Sequence, residues 1–134
     1  MSDNQSKKQI VSEWLAYARE DENNIIALIK DRDVSPSLVC FISQQMSEKN
    51  LKAMLLFYSG DYPRIHDLTQ LGNLISAYDK EINNIKEYFT ILGPYYVGVR
   101  YPGNFPEGFT WKMAEEAYGA AKKIKEFISR RIAF

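Results

Sequence analysis

One segment in the middle of the chain constrains the fold more than any other. Residues 38–55 read LVCFISQQMSEKNLKAML, and steps of three and four residues mark one helical stripe, made of Leu38, Phe41, Gln45, Glu48, Lys52 and Leu55. Both ends of the stripe are apolar, whereas its middle carries an amide, a carboxylate and an ammonium group. Such groups on a core-type face are either exposed to solvent or paired with a buried partner.

Hydrophobic periodicity predicts helices along the rest of the chain as well. Apolar residues recur at helical spacing in residues 8–30, 36–58, 68–78 and 79–99, and in a last segment that follows Thr110. No stretch alternates with period two, and hairpin dipeptides are lacking. The sequence therefore predicts an all-α fold, an up-and-down helical bundle of four long helices plus one short helix. We expect a single domain over residues 1–134, with a frayed polar start at residues 1–7.

Capping residues define the expected helix starts. Ser35 is a natural N-cap and Pro36 suits the first helical position that follows it. Either His66 or Asp67 can cap the short helix, and Thr110 can cap the last one.

Proline and basic residues mark the expected helix ends. Gly93-Pro94 lies inside the fourth helical segment, where proline removes a backbone hydrogen bond, so we expect a kink or a break and restart. Arg100-Tyr101-Pro102 should end that helix, because the residue before a proline avoids helical angles. Basic residues near the C-terminus are more typical of a solvated helix end than of a nucleic-acid patch.

Composition narrows the class of protein. Seventeen basic and seventeen acidic residues give a net charge of zero, which argues against strong non-specific affinity for nucleic acid. The single cysteine, Cys40, cannot form an internal disulfide, and its apolar neighbours indicate a buried thiol. No apolar run has the length of a membrane span, and the N-terminus lacks a signal-peptide core. These features favour a soluble cytoplasmic protein without membrane contact.

Polar residues on core-type faces or at element ends are the candidate functional groups. They are Asp21 in the first helix, Gln45, Glu48 and Lys52 in the second, His66 and Asp67 before the third, and Tyr96 and Arg100 near the end of the fourth. In one interpretation they form a structural network, in which Glu48 pairs with Lys52 or Arg100 and Asp21 accepts from a neighbour. In the other they bind a nucleotide, with Arg100 and Lys52 on phosphate and Tyr96 or Tyr101 stacked on the base.

Familiar catalytic patterns are mostly absent from the sequence. It contains neither a glycine-rich phosphate loop nor a G-x-S-x-G motif. One histidine and one cysteine cannot form a typical transition-metal site, so we expect no metal and no cofactor. Cys40 and His66 could pair as nucleophile and base, but Cys40 has no activating cation nearby in sequence.

Several motifs together resemble one known family. They are Trp14…Ala18..Asp21, FISQQMSEKNLKAMLL at residues 41–56, His66-Asp67-Leu68..Leu71, and Tyr96…Arg100-Tyr101-Pro102, followed by an alanine-rich last helix. In combination they resemble the HEPN (higher eukaryotes and prokaryotes nucleotide-binding) domain over residues 12–132. The resemblance implies an all-α bundle of about five helices, commonly a homodimer. It also implies interaction with nucleotide or RNA, and a minimal nucleotidyltransferase as partner in a toxin–antitoxin-like pair.

The chain departs from the ribonuclease members of that family. Those members use an arginine followed roughly four to six residues later by a histidine. Positions 60–62 before His66 are Gly, Asp and Tyr, and no histidine follows Arg100. The chain resembles the Arg-Tyr-Pro branch, for which nucleotide binding is proposed and catalysis is not implied.

The predicted function is therefore a non-catalytic nucleotide- or partner-binding protein. The resemblance carries over Gln45, Glu48, Lys52, His66, Asp67, Arg100 and Tyr101 as ligand-binding candidates, to which the stacking argument adds Tyr96. One alternative is an atypical metal-independent ribonuclease toxin that uses Arg100, His66 and Tyr101. Another is a purely structural dimerisation module.

Overall fold

The computed structural model describes residues 3–98, 103, 105 and 107–133, with side chains from residue 6 onward. The described residues contain helices and no strand. The α-helices are α1 (Asp3–Asp31), α2 (Pro36–Ser59), α3 (Leu68–Ile75), α4 (Lys86–Leu92), α5 (Tyr95–Gly98) and α6 (Trp111–Arg131), and a 3₁₀ segment, Lys80–Ile85, precedes α4. The predicted all-α bundle is confirmed. Residues 3–7, expected to be frayed, belong to α1.

The second helix forms the centre of the bundle. It has its most extensive contacts with α1 and α6, and α3 also packs against it. Buried residues cover all sides of its middle, from Val39 to Leu56. Most of the apolar ones join Leu71, Phe89 and Ile124 of other helices in the main core, whereas Ala53 and Leu56 pack with Val11 of α1 in a smaller cluster. A helix buried on all sides must satisfy its polar side chains inside the protein.

The predicted caps of α2, α3 and α6 are confirmed. The Ser35 side chain accepts a hydrogen bond from the Ser37 amide, and Pro36 occupies the first turn of α2. Of the two candidate caps for α3 it is Asp67 that acts, because its carboxylate accepts from the Gln70 amide. The Thr110 hydroxyl accepts from the Met113 amide at the start of α6. Gly60 ends α2 at φ 81°, a left-handed conformation that glycine adopts without strain.

The fourth predicted helix is not continuous. It starts as the 3₁₀ segment, capped by Asp79, and becomes an α-helix only at Lys86. Asn83 and Asn84 have low helix propensity, which favours this tighter and shorter form. The chain then breaks at Gly93-Pro94 and restarts as the single turn α5, as expected from the missing proline N–H. The predicted end of this helix at Arg100-Tyr101-Pro102 lies outside the described residues.

No described helix is both long enough and apolar enough to cross a bilayer.

Candidate functional site

The polar residues of α2 meet a partner from outside the helix. Glu48 and Lys52 are 6% and 4% exposed. The Lys52 ammonium donates to Glu48 Oε2 at 3.0 Å, and His66 Nδ1 lies 3.0 Å from the same oxygen. The predicted Glu48–Lys52 pair is thus formed, and His66 completes a chain of three ionisable side chains.

Lys52 is enclosed rather than presented to a ligand. Its Nζ lies 5.8 Å from the ring centroid of Trp14 and 6.0 Å from that of Tyr62. The two rings pack edge to face, with centroids 5.2 Å apart. Two aromatic faces and one carboxylate therefore hold the ammonium group, which makes it a structural cation at the end of the chain.

A glutamine that the stripe did not include completes the network. Gln44 is fully buried, and its Nε2 donates to the backbone carbonyl of His66 at 3.2 Å and to Glu48 Oε1 at 3.5 Å. Gln45, which was predicted, is half-buried and donates to Gln44 Oε1 at 2.6 Å. The amide pair thus fixes the segment before α3 to α2, and Gln45 contributes through Gln44. Leu38, the first stripe residue, is 38% exposed and does not join the core.

His66 links this buried network to an open groove. Its ring stacks on Tyr96 with centroids 4.7 Å apart and planes inclined by 15°, and its side chain is 48% exposed. A cavity of about 460 Å³ adjoins the two rings, lined further by Asp67, Thr69, Phe89, Thr90, Gly93, Pro94 and Val97. We call this cavity the His66–Tyr96 groove. The helix break at Gly93-Pro94 forms part of its wall, so the interruption of the fourth helix shapes the groove.

Two predicted ligand-binding residues, Arg100 and Tyr101, lie outside the described residues. Arg100 follows Gly98, the last residue of α5, by two positions in sequence. Asp67 lines the groove while its carboxylate caps α3.

The acidic residues of α1 form separate ion pairs. Asp21 accepts from Lys49 Nζ at 2.6 Å, which confirms that a neighbour satisfies it. Glu22 is buried and accepts from Lys125 Nζ at 2.6 Å and from the Tyr118 hydroxyl at 2.9 Å. The pKa of Tyr118 is raised to about 12, mainly because the side chain is partly buried and also because its hydroxyl donates to Glu22. These bonds fasten α1 to α2 and α6 and do not include His66.

The remaining reactive side chain, Cys40, is a core residue. It is fully buried, and burial raises the pKa of its thiol to about 11. His66 contacts Glu48 and Tyr96 instead, so a Cys40–His66 nucleophile pair is not formed. Within the described ranges, no three His, Cys, Asp or Glu side chains are grouped so that they could hold a metal ion.

Comparison with known proteins defines the class. The family model of the HEPN domain matches residues 11–132, and the chain belongs to this family. The fold is similar to that of an archaeal HEPN homologue known from a crystal structure, with 26% sequence identity and a TM-score of 0.73. The similarity covers 92% of this chain and 98% of the archaeal one. No curated protein matches the sequence significantly.

Proposed function

We propose that this protein binds a nucleotide in the His66–Tyr96 groove, without catalysis. The observation that carries the proposal is the stacked pair of aromatic rings beside a cavity of about 460 Å³. Nucleobases stack on exposed aromatic rings, and such stacking is worth about 1–3 kcal/mol per base. Membership of a family associated with nucleotide interaction supports the same ligand class.

Each wall of the groove suits a different part of a nucleotide. The base would extend the His66–Tyr96 stack, and the hydroxyls of Thr69 and Thr90 with the Asp67 carboxylate would contact the ribose. A carboxylate repels phosphate, so the phosphates would point away from Asp67. Arg100 is our candidate for binding them through its planar fork of donors. Glu48, behind the groove, would orient the His66 ring.

A thermal-shift screen tests the proposal with ATP, GTP, CTP, UTP, their monophosphates and short RNA. At about a hundred times its dissociation constant, a ligand adds roughly 2.7 kcal/mol of stability, which raises the midpoint by several degrees. We expect Tyr96→Ala and Arg100→Ala to remove the shift, because they delete a stacking ring and a phosphate donor. Tyr17→Ala, at a side chain 58% exposed on α1, is the matched control and should keep the shift. A flat screen with folded wild-type protein would contradict nucleotide binding.

A ribonuclease is the second candidate, favoured by the Glu48–His66 contact. A carboxylate that accepts from His66 Nδ1 leaves Nε2 able to take a proton, which is the arrangement of a general base. In that case wild-type protein would cleave RNA without metal, and both His66→Asn and Arg100→Ala would abolish cleavage. Intact RNA after incubation with wild-type protein would rule this candidate out.

Partner binding is proposed from the family resemblance. A homodimer is consistent with exposed apolar side chains such as Ile10, Ile26, Leu74 and Tyr78, and a nucleotidyltransferase is the candidate protein partner in a toxin–antitoxin-like pair. A light-scattering mass of twice 15.5 kDa would support the dimer, and a mass of 15.5 kDa at micromolar concentration would contradict it. If the polar network served only dimerisation, no nucleotide would stabilise the protein.

A further inference from the structure

A second cavity lies between α1, α2 and α6. Its volume is about 230 Å³, and its walls combine apolar side chains (Leu15, Ala18, Met46, Ile128 and Ile132) with polar ones (Arg19, Glu22, Asn50, Lys125 and Ser129). On α2, the cavity is lined by Met46 and Asn50. Glu48 and Lys52 each follow one of these by two residues, so they are rotated by roughly 200° around the helix and face away from the cavity. The cavity is therefore separate from the His66–Tyr96 groove.

The side chain of Asn50, which lines this cavity, has a hydrogen-bond donor that no described residue satisfies. The residue is 4% exposed, and its side-chain Nδ2 has no hydrogen-bond acceptor among the described residues. A buried donor without a partner costs about 1–3 kcal/mol, so a polar group of this kind inside a helix bundle needs an explanation. An acceptor supplied by a bound molecule would satisfy it.

The charges of the wall specify the kind of acceptor. Glu22 is negative, but Lys125 and Tyr118 already donate to its two oxygens. Arg19 and Lys125 are positive, so two positive charges less one negative charge leave a surplus of one positive charge. A monoanion matches this surplus, whereas a phosphate group carries about −1.5 to −2 at neutral pH.

The size and apolar lining restrict the rest of the ligand. The cavity volume of about 230 Å³ is half the 460 Å³ of the His66–Tyr96 groove, which favours a small ligand over a nucleotide. Small-molecule sites combine an apolar lining with convergent polar groups, and this cavity has five lining residues of each kind. We propose that this cavity binds a small organic carboxylate, with its anionic head on Asn50, Arg19 and Lys125 and a compact apolar tail against Leu15, Met46 and Ile128.

The side-chain amide signal of Asn50 in a ¹⁵N-labelled protein tests this proposal. Sodium isovalerate and sodium benzoate are the probes, and isovaleramide is the neutral match of the first. We expect both carboxylates to move the Asn50 amide signal to saturation, and isovaleramide to leave it unchanged. An unmoved signal at roughly 10 mM carboxylate, or an equal response to isovaleramide, would overturn the proposal.

A variant of similar shape provides the matched comparison. Asn50→Leu removes the donor while it fills the same space, so it should fold and should weaken carboxylate binding at least tenfold, as expected for a lost hydrogen bond to a charged group. Asn84→Leu, at an exposed asparagine of the 3₁₀ segment, should bind like wild type. Equal affinity of Asn50→Leu and wild type, measured by backbone amide shifts of α6, would also overturn it.

Discussion

Replacing Glu48 with alanine should lower the free energy of unfolding by about 3–5 kcal/mol, measured by urea denaturation. The reason is that Lys52 is 4% exposed and would then have no counter-ion among the described side chains. A buried unpaired ammonium is costly because the protein interior solvates charge poorly. His66 and Gln44 would lose the same carboxylate, which adds to the effect.

Two controls separate burial from the mere loss of a charge. Glu126 also pairs with a lysine of its own helix, Lys123, but it is 51% exposed, so Glu126→Ala should change stability by less than about 1 kcal/mol. The double variant Glu48→Leu/Lys52→Met removes both charges and should recover most of the lost stability. A cost below about 1 kcal/mol for Glu48→Ala would show that the network contributes little to the fold.

Replacing Phe89 with alanine should cost about 3–5 kcal/mol in the same experiment. Phe89 is 1% exposed in α4, and its ring packs directly on the backbone of α3 at Gly72. Truncation would leave a cavity where α3 and α4 meet, and rigid helices collapse only partly into such a space. The exposed aromatic variant Tyr17→Ala should lie within about 1 kcal/mol of wild type.

A paired substitution checks that this contact is the cause. A Cβ atom at Gly72 would lie 2.5 Å from Phe89 Cε2, so Gly72→Ala should destabilise the wild type by about 1–3 kcal/mol. In a Phe89→Leu background the smaller side chain leaves room, and Gly72→Ala should be better tolerated. If Gly72→Ala lowered the free energy of unfolding equally in the wild type and in Phe89→Leu, contact with the Phe89 ring would not be the cause.

Local signals in the sequence predicted most of the fold. Ser35, Asp67 and Thr110 act as caps because capping depends on a few consecutive residues. The break at Gly93-Pro94 follows from the chemistry of proline alone. The 3₁₀ form of residues 80–85 was not predicted, because the choice between two tight helices depends on small energy differences and on packing.

The candidate site was only partly predictable, because its partners are distant in sequence. Glu48 and Lys52 are four residues apart on one helix, so their pairing could be read directly. His66 lies 18 residues from Glu48, and only the tertiary fold brings it there. Gln44 and Asn50 were missed because a single stripe does not describe a helix buried on all sides.

Glu22 shows the same limit over a longer range. It lies four residues after Ala18 and three before Ile25, so the sequence places a carboxylate on a core-type helix face. Its hydrogen-bond partners, however, are 96 and 103 residues away on α6, and no local pattern identifies them.

The most direct test of the central claim uses the ring signals of His66. It is the only histidine in the sequence, so its proton NMR signals need no separate assignment. Stacking of a base beside His66 and Tyr96 predicts that the His66 signals move on addition of a nucleotide, and that they saturate over the concentrations that raise the melting temperature. Signals that stay fixed while a nucleotide stabilises the protein would place the binding site elsewhere and contradict the assignment of the His66–Tyr96 groove.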